Sequence, residues 1–189
     1  MPQVKQTMKT IQDGWISSPR TKNEEKRLNA LRSLGILDTV VEDRFDVITK
    51  TVAELLDMPV CLITLVDADR QWFKSVHGDG IETNQTDREI SFCAHNIHDD
   101  DLLIIPDARK DDRFRQNPCV LNDPKIRFYA GAPLEFGDEC FIGSLCVIDY
   151  KPIHDFSQSG RRVLKAFSKI AVNEMMIGCL HPEKKVMHG

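Results

Sequence analysis

Val60-Cys-Leu-Ile-Thr-Leu-Val66, then Asp67-Ala-Asp-Arg70, then Gln71-Trp-Phe-Lys-Ser-Val76 is the stretch on which the architecture turns. The first run is apolar and β-branched and reads as a strand, the middle as a turn, the last as a returning strand. A link this short joins antiparallel neighbours, because a parallel return needs a crossover of about a dozen residues or more. The motif recurs downstream, where Arg127 to Phe136 and Phe141 to Ile148 are joined across Gly137-Asp138-Glu139. Two hairpins predict an antiparallel sheet. Within the first return strand Trp72 and Phe73 alternate, so one faces the core and the other the opposite surface.

Helical signals flank the hairpins. Leu28, Leu31 and Leu34 fall at helical spacing behind Glu24-Glu-Lys-Arg27, with Gly35 as C-terminal cap. Thr39-Val-Val-Glu42 matches a capping box, which predicts a second helix from Thr39 with Phe45, Ile48, Val52, Leu55 and Leu56 as its buried stripe, stopped by Pro59. A long helix is expected from about Ser157, with Val163, Leu164, Phe167, Ile170, Ala171 and Met175 apolar. Between the hairpins the period is lost. Ser91 caps a short helix, Leu102 to Ile105 is a short strand, Asp107 to Phe114 a helical turn, and the stretch through Pro118, Asn122 and Pro124 a loop. The prediction is an α+β domain. Terminal helices cover one face of the sheet, and irregular chain roofs a pocket on the other.

Composition narrows the function. The chain has 189 residues, 41% of them hydrophobic, which suits one domain with one sizeable core. A net charge of −4 with no block of like sign argues against a nucleic-acid or anionic-membrane partner. No apolar run approaches a membrane span and no signal peptide is recognisable, so a cytoplasmic location is expected. The six cysteines then read as reduced, mostly buried thiols. Residues 1–21 read as a flexible tail, with Trp15 and Ile16 as candidates to dock, 22–180 as the domain and 181–189 as a second tail.

Three blocks have the character of cavity walls, apolar with a few polar or reactive groups: Ser91-Phe-Cys-Ala-His-Asn-Ile97, Arg127-Phe-Tyr-Ala-Gly-Ala-Pro-Leu134 and Gly143-Ser-Leu-Cys-Val-Ile-Asp149. Together with Arg27-Leu-Asn-Ala-Leu-Arg-Ser-Leu-Gly-Ile-Leu-Asp-Thr39 and Asp67-Ala-Asp-Arg-Gln-Trp-Phe-Lys-Ser75, they resemble the GAF domain over roughly residues 24–178. The similarity is to the subgroup attached to bacterial histidine kinases and diguanylate cyclases. The resemblance implies a central antiparallel sheet of five or six strands, helices behind it, a ligand cavity in front, a regulatory role and dimerisation through the terminal helices. It does not specify a ligand. The Asn-Lys…Phe…Asp-Glu signature of cyclic-nucleotide-binding members is not matched in spacing by Phe136 and Asp138-Glu139. Bilin-binding members carry Cys followed directly by His, whereas Ala94 separates Cys93 from His95 here. The cysteine pattern of the free methionine sulfoxide reductases is not matched either.

The reactive residues have plain readings as well. On a helix Cys93 and His95 point about 200° apart at ~100° per residue, so they do not share a metal. His95 and His98 are suitably spaced, but further ligands at a recognisable spacing are lacking. His98-Asp-Asp-Asp101 reads as a solvated acidic turn, and Asp67-Ala-Asp-Arg70 as a hairpin turn rather than a calcium loop. Along one strand Cys140 and Cys146 lie about 20 Å apart, beyond the ~7 Å a disulfide spans. Two readings of Arg127 stand: a clamp on a ligand's carboxylate or phosphate, or an ion pair with Asp107 or Asp111.

The expectation is therefore a non-catalytic sensory module with no metal and an unidentified small-molecule ligand. The cavity is lined by Ser91–Ile97, Asp107–Phe114, Arg127–Ala132 and Leu145–Val147. Its candidate ligand contacts are Phe92, Cys93, His95, Asp107, Phe114, Arg127, Tyr129, Ala132 and Cys146. A homodimer through the terminal helices and a signalling partner in trans are the expected protein contacts. The alternatives are a docking module with a vestigial pocket, a Cys-dependent reductase and a bilin photoreceptor.

Overall fold

The computed structural model describes residues 18–98, 100–137 and 139–180. Trp15, Ile16, Asp99, Asp138 and the expected C-terminal tail lie outside the described residues. The elements are α1 (Glu24–Ser33), α2 (Asp43–Leu56), β1 (Val60–Val66), β2 (Arg70–His77), β3 (Gln85–Asp87), a 3-10 turn (Arg88–Ile90), α3 (Phe92–Asn96), β4 (Leu103–Ile105), α4 (Pro118–Leu121), β5 (Phe128–Glu135), β6 (Phe141–Asp149) and α5 (Gln158–Leu180).

All six strands form one antiparallel sheet in the order β3-β2-β1-β6-β5-β4. Both predicted hairpins are present, and β1 lies against β6 at the centre. Asp67 and Arg70 close the first turn, the Asp67 N–H donating to the Arg70 carbonyl at 2.8 Å. Strand alternation divides the apolar residues between two layers. Cys61, Ile63, Leu65, Trp72, Ala130, Ala132, Leu145 and Val147 pack against α1, α2 and α5. Leu62, Val66, Tyr129, Cys146 and Ile148 face the irregular cover, with Phe92, Ile97 and Phe114.

Two irregularities set which side chain goes where. At the β1/β2 bulge Ile63 pairs with Ser75 and Thr64 with Phe73, so Lys74 is the extra residue. Its buried ammonium donates to Thr39 Oγ1 (2.8 Å) and the Val40 carbonyl (2.9 Å) and pairs with Glu42 (2.7 Å). Gly143 lies where β6 passes β1: a Cβ there would collide with the Thr64 carbonyl. Only glycine lets the two central strands pair at that point.

The N-terminal helix is tied down electrostatically. Buried Arg27 donates to both Glu24 oxygens (3.1 and 2.7 Å), and buried Arg88 also pairs with Glu24 and donates to the Asp67 carbonyl at 3.1 Å. Partial burial alone would raise the Glu24 carboxyl. Hydrogen bonds from Arg27, Arg88 and Thr21 outweigh it and hold the group well below the usual carboxylate range. Gly35 takes the left-handed conformation (φ 54°) just past α1, as its capping role requires.

Several local expectations are corrected. The second helix starts at Asp43, not Thr39: the Thr39 hydroxyl donates to Ile36 O (2.7 Å), and Glu42 is engaged by Arg44 and Lys74, so no capping box forms. Leu55 is 60% exposed instead of buried. Residues 107–117 are successive turns with no regular helix, while Pro118–Leu121 is helical, capped by Asn117 Oδ1 on the Cys119 N–H at 2.9 Å. Edge strand β3 has no apolar alternation to announce it. Ser91 caps α3 as expected, accepting from the Ala94 N–H at 2.9 Å.

Candidate functional site

The irregular chain leaves a cavity of about 780 Å³ on the face of the sheet opposite the long helices. Its floor is Leu62, Gln71, Phe73, Tyr129, Cys146 and Ile148, from β1, β2, β5 and β6. Its roof comes from residues 80–83 and Thr86, Ile90 to Cys93 ahead of and within α3, Pro118 and Cys119 of α4, and the stretch Asn122–Pro124. Tyr150 stands at one margin, its hydroxyl donating to the Asp79 carbonyl at 2.7 Å. Among the described residues the only charged ones lining the cavity are Glu82 and Asp123, and no Lys or Arg lines it.

At the closed end the polar groups form one network. Tyr129 OH donates to Cys93 Sγ at 3.3 Å, and the Cys93 and Cys146 sulfurs are 3.7 Å apart. Ser144 Oγ accepts from Asn96 Nδ2 (2.8 Å), donates to the Ala132 carbonyl (3.1 Å) and lies 3.4 Å from Tyr129 OH. Asn96 Oδ1 accepts from the Leu103 N–H at 3.1 Å. One side chain thereby joins α3 to β6 and to edge strand β4. Gly131 makes room for this network, since a Cβ there would strike both Tyr129 OH and Ser144 Oγ.

Burial opposes charge on both thiols. Around Cys93, donors from Cys146, Thr64, Tyr129 and Ser144 outweigh burial and hold the thiol below its ordinary value. Cys146 is pushed up by the hydrogen bond it shares with Cys93 and by burial. The Tyr129 hydroxyl is pushed up by burial and by the neighbouring sulfurs.

Of the nine candidate contacts, Phe92, Cys93, Tyr129 and Cys146 line the cavity together. The other five lie off it. Ala132 points at the long helices, because it is an odd number of residues from Tyr129 on an alternating strand. Phe114 sits behind Phe92, with stacked rings at 4.1 Å, and His95 meets Phe114 edge-on at 4.9 Å. Burial first, then the charges of Arg113 and His98, depresses the His95 imidazole to about 4. Asp107 is held by Arg109 (2.9 Å) and Asp111 by Arg113 (2.7 Å). Both readings of Arg127 are corrected: its guanidinium donates to the carbonyls of Val120 (2.9 Å) and Ile126 (3.0 Å), pinning α4 to the start of β5. The short-range Asp-X-Arg pairs take the carboxylates that Arg127 was expected to meet.

Sequence reasoning missed Gln71, Ile81 to Thr83, Thr86, Pro118 and Cys119 as walls, and Asn96 and Ser144 as the joint behind them. For Phe73 the signal was present: alternation with Trp72 sends one ring to each face, and Trp72 joins the helix-side core while Phe73 faces the cavity. All six cysteines are free. Among the described residues no cluster of three or more His, Cys, Asp or Glu side chains forms a metal site, and no helix is long and apolar enough to cross a membrane.

The GAF domain family model matches residues 41–175, most of the chain. The chain belongs to the GAF family. A cyclic di-GMP phosphodiesterase of Pseudomonas aeruginosa is 35% identical over 154 residues, which is 82% of this chain but 26% of that protein. The chain therefore spans about a quarter of that relative. Among solved structures, the GAF domain of an Acinetobacter phosphoenolpyruvate-protein phosphotransferase aligns with TM-score 0.61 and 19% identity, over 84% of this chain and 98% of the other. A domain of a putative two-component sensor histidine kinase from Sinorhizobium meliloti aligns with TM-score 0.59 and 12% identity, over 77% and 97%. At such identities the structures speak for the fold, an α+β GAF architecture that this chain builds on a six-stranded antiparallel sheet. A GAF domain is a sensory or regulatory unit.

Proposed function

We propose that this chain is a non-catalytic, cytoplasmic sensor that binds an uncharged or cationic small molecule with a flat apolar body. The observation that carries the reading is a cavity of about 780 Å³, of a size typical of small-molecule sites, with aromatic and aliphatic walls and, among the described residues, no cationic side chain. Phe73, Phe92 and Tyr129 offer ring faces and edges, and Gln71, whose Oε1 accepts from the Ser91 hydroxyl, offers its amide N–H groups. A phosphate or carboxylate would enter beside Glu82 and Asp123 without a guanidinium or ammonium to offset its desolvation. Cyclic nucleotides and cyclic di-GMP are thus disfavoured as ligands of this cavity. The likeness to part of a cyclic di-GMP phosphodiesterase supports a role in controlling a signalling output, in cis or in trans. Binding acts on that output only if the ligand distinguishes two arrangements of the roof.

The test is thermal unfolding against neutral and cationic aromatic metabolites in one arm and cyclic GMP, cyclic AMP and cyclic di-GMP in the other. A ligand of the first arm at about 100 times Kd should add roughly 2.7 kcal/mol, and Cys146→Trp, which fills the closed end, should abolish the gain. Stabilisation by the anionic arm alone, or by neither, would sink the reading.

A second reading has its own observation. Ile170, Met176 and Ile177 on α5 are 43%, 47% and 49% exposed, and Val47 on α2 is 61% exposed. These surplus apolar side chains suit a homodimer through the terminal helices. Light scattering should give twice the chain mass, reduced to one by Ile170→Glu with Ile177→Glu. A monomeric wild-type chain at all concentrations would remove this reading and leave the sensor untouched.

A further inference from the structure

We propose that Cys93 and Cys146 are a redox couple at the closed end of the cavity, converted by a hydroperoxide into an intramolecular disulfide that joins roof to sheet. Their sulfurs are already in van der Waals contact at 3.7 Å, one on α3 and the other on β6. A disulfide bond is about 2.05 Å long, so closure requires a combined approach of roughly 1.7 Å. Both buried residues border the cavity, the side from which a small oxidant would approach. Cys61 and Cys140 face the helix-side core, and Cys179 is on α5, its thiol donating to the Leu34 carbonyl at 3.1 Å. Cys119 also lines the cavity, but burial pushes its thiol up to about 11.

The surroundings distinguish the two sulfurs. Tyr129 aims its hydroxyl at Cys93 Sγ (3.3 Å). A donor so placed favours electron density on that sulfur, which makes Cys93 the attacking atom and Cys146 the resolving one. The Cys93 sulfur, having released its proton, attacks the terminal oxygen of the hydroperoxide. The O–O bond breaks, and the departing alkoxide takes up the released proton as an alcohol, leaving Cys93 as the sulfenic acid. The Cys146 sulfur then attacks the Cys93 sulfur. The S–O bond breaks, and hydroxide leaves with the Cys146 proton as water. Two thiols have lost two electrons and two protons, and the hydroperoxide has become alcohol and water. An external dithiol reverses the change.

The consequence is structural. The bond draws the first turn of α3 onto β6, displaces the acceptor of Tyr129 and narrows the cavity at its closed end. The oxidised chain is a second state of the same chamber. This inference does not depend on what the cavity binds.

The test uses the full chain, reduced, exposed to hydrogen peroxide, then denatured and alkylated with N-ethylmaleimide for intact-mass and peptide analysis. The expected result is loss of two hydrogens, four alkylated cysteines in place of six, and a Cys93–Cys146 linked peptide that dithiothreitol removes. Cys119→Ser with Cys179→Ser should retain the link. Cys146→Ser should lose it and accumulate a dimedone-reactive Cys93. Six alkylated cysteines after peroxide treatment would overturn the proposal, as would a link through Cys119 or a covalent dimer through Cys179. The wild-type mapping decides the matter even if a serine variant does not fold.

Discussion

Ser144→Ala should loosen the joint that holds the cavity roof to the sheet. The Ser144 hydroxyl is fully buried and is the acceptor for Asn96 Nδ2 at 2.8 Å, and Asn96 is itself buried. Removing the oxygen leaves an amide donor without a partner, at a cost of about 1–3 kcal/mol. The other losses are smaller. The Ala132 carbonyl loses its contact at 3.1 Å but lies in a paired strand, and Tyr129 OH keeps Cys93 as an acceptor. The sum is about 2 kcal/mol, a factor of roughly 30 in the folding equilibrium, and a fall in Tm of roughly 4–8 °C for a domain of this size. The assay is urea unfolding of wild type, Ser144→Ala, Asn96→Ala and the double variant. Hydrogen exchange at Leu103 adds a local readout, because its N–H donates to Asn96 Oδ1. A coupling energy of about 1 kcal/mol or more between the two sites is expected. A Ser144→Ala cost below about 0.5 kcal/mol, or strictly additive single variants, would refute the reasoning.

His95, depressed to about 4, is neutral at pH 7. The unfolded chain takes up the proton near its ordinary 6.5, so this group's contribution is present above that pH and is lost as pH falls toward 4, by up to about 3 kcal/mol. NMR titration should place the imidazole well below 6.5, and a value at 6.5 would end the argument. Glu24 also lies below its unfolded value of 4.5, so its contribution is present above that pH and disappears on acidification below it. Glu24→Gln should flatten the acid limb of stability and cost about 3 kcal/mol by leaving two buried guanidinium groups short of a carboxylate. An unchanged acid limb would count against the network. Gly143→Ala should destabilise by at least ~2 kcal/mol, since the colliding atom is backbone on the neighbouring strand. A wild-type melting curve would show that β1 and β6 can separate there at little cost.

Legibility in the sequence followed the range of the interactions. The hairpin around Asp67 to Arg70 announced itself because apolar strand residues and a polar turn are local signals, and so did the Ser91 cap. The Thr39 capping box failed because Lys74, brought in by a bulge on β2, took the Glu42 carboxylate that the motif needed. One of the two readings of Arg127, the ion pair, failed for the same kind of reason. Asp107 and Asp111 each have an arginine two residues away, and the local partner won.

The site divided along the same line. Phe92, Cys93, Tyr129 and Cys146 were found because apolar runs with small and reactive residues mark cavity walls, while Ala132 was lost to a parity that depends on which face its strand turns. The chain alone determined an antiparallel α+β domain, because periodicity and turn chemistry are written in neighbouring residues, and its motif blocks carried the resemblance to the GAF family. Tertiary structure alone decided that no Lys or Arg among the described residues lines the cavity, that Asn96 and Ser144 join its roof to its floor, and that two thiols distant in sequence meet. Those are contacts between segments whose approach depends on strand register and bulges, and no window of sequence contains both partners.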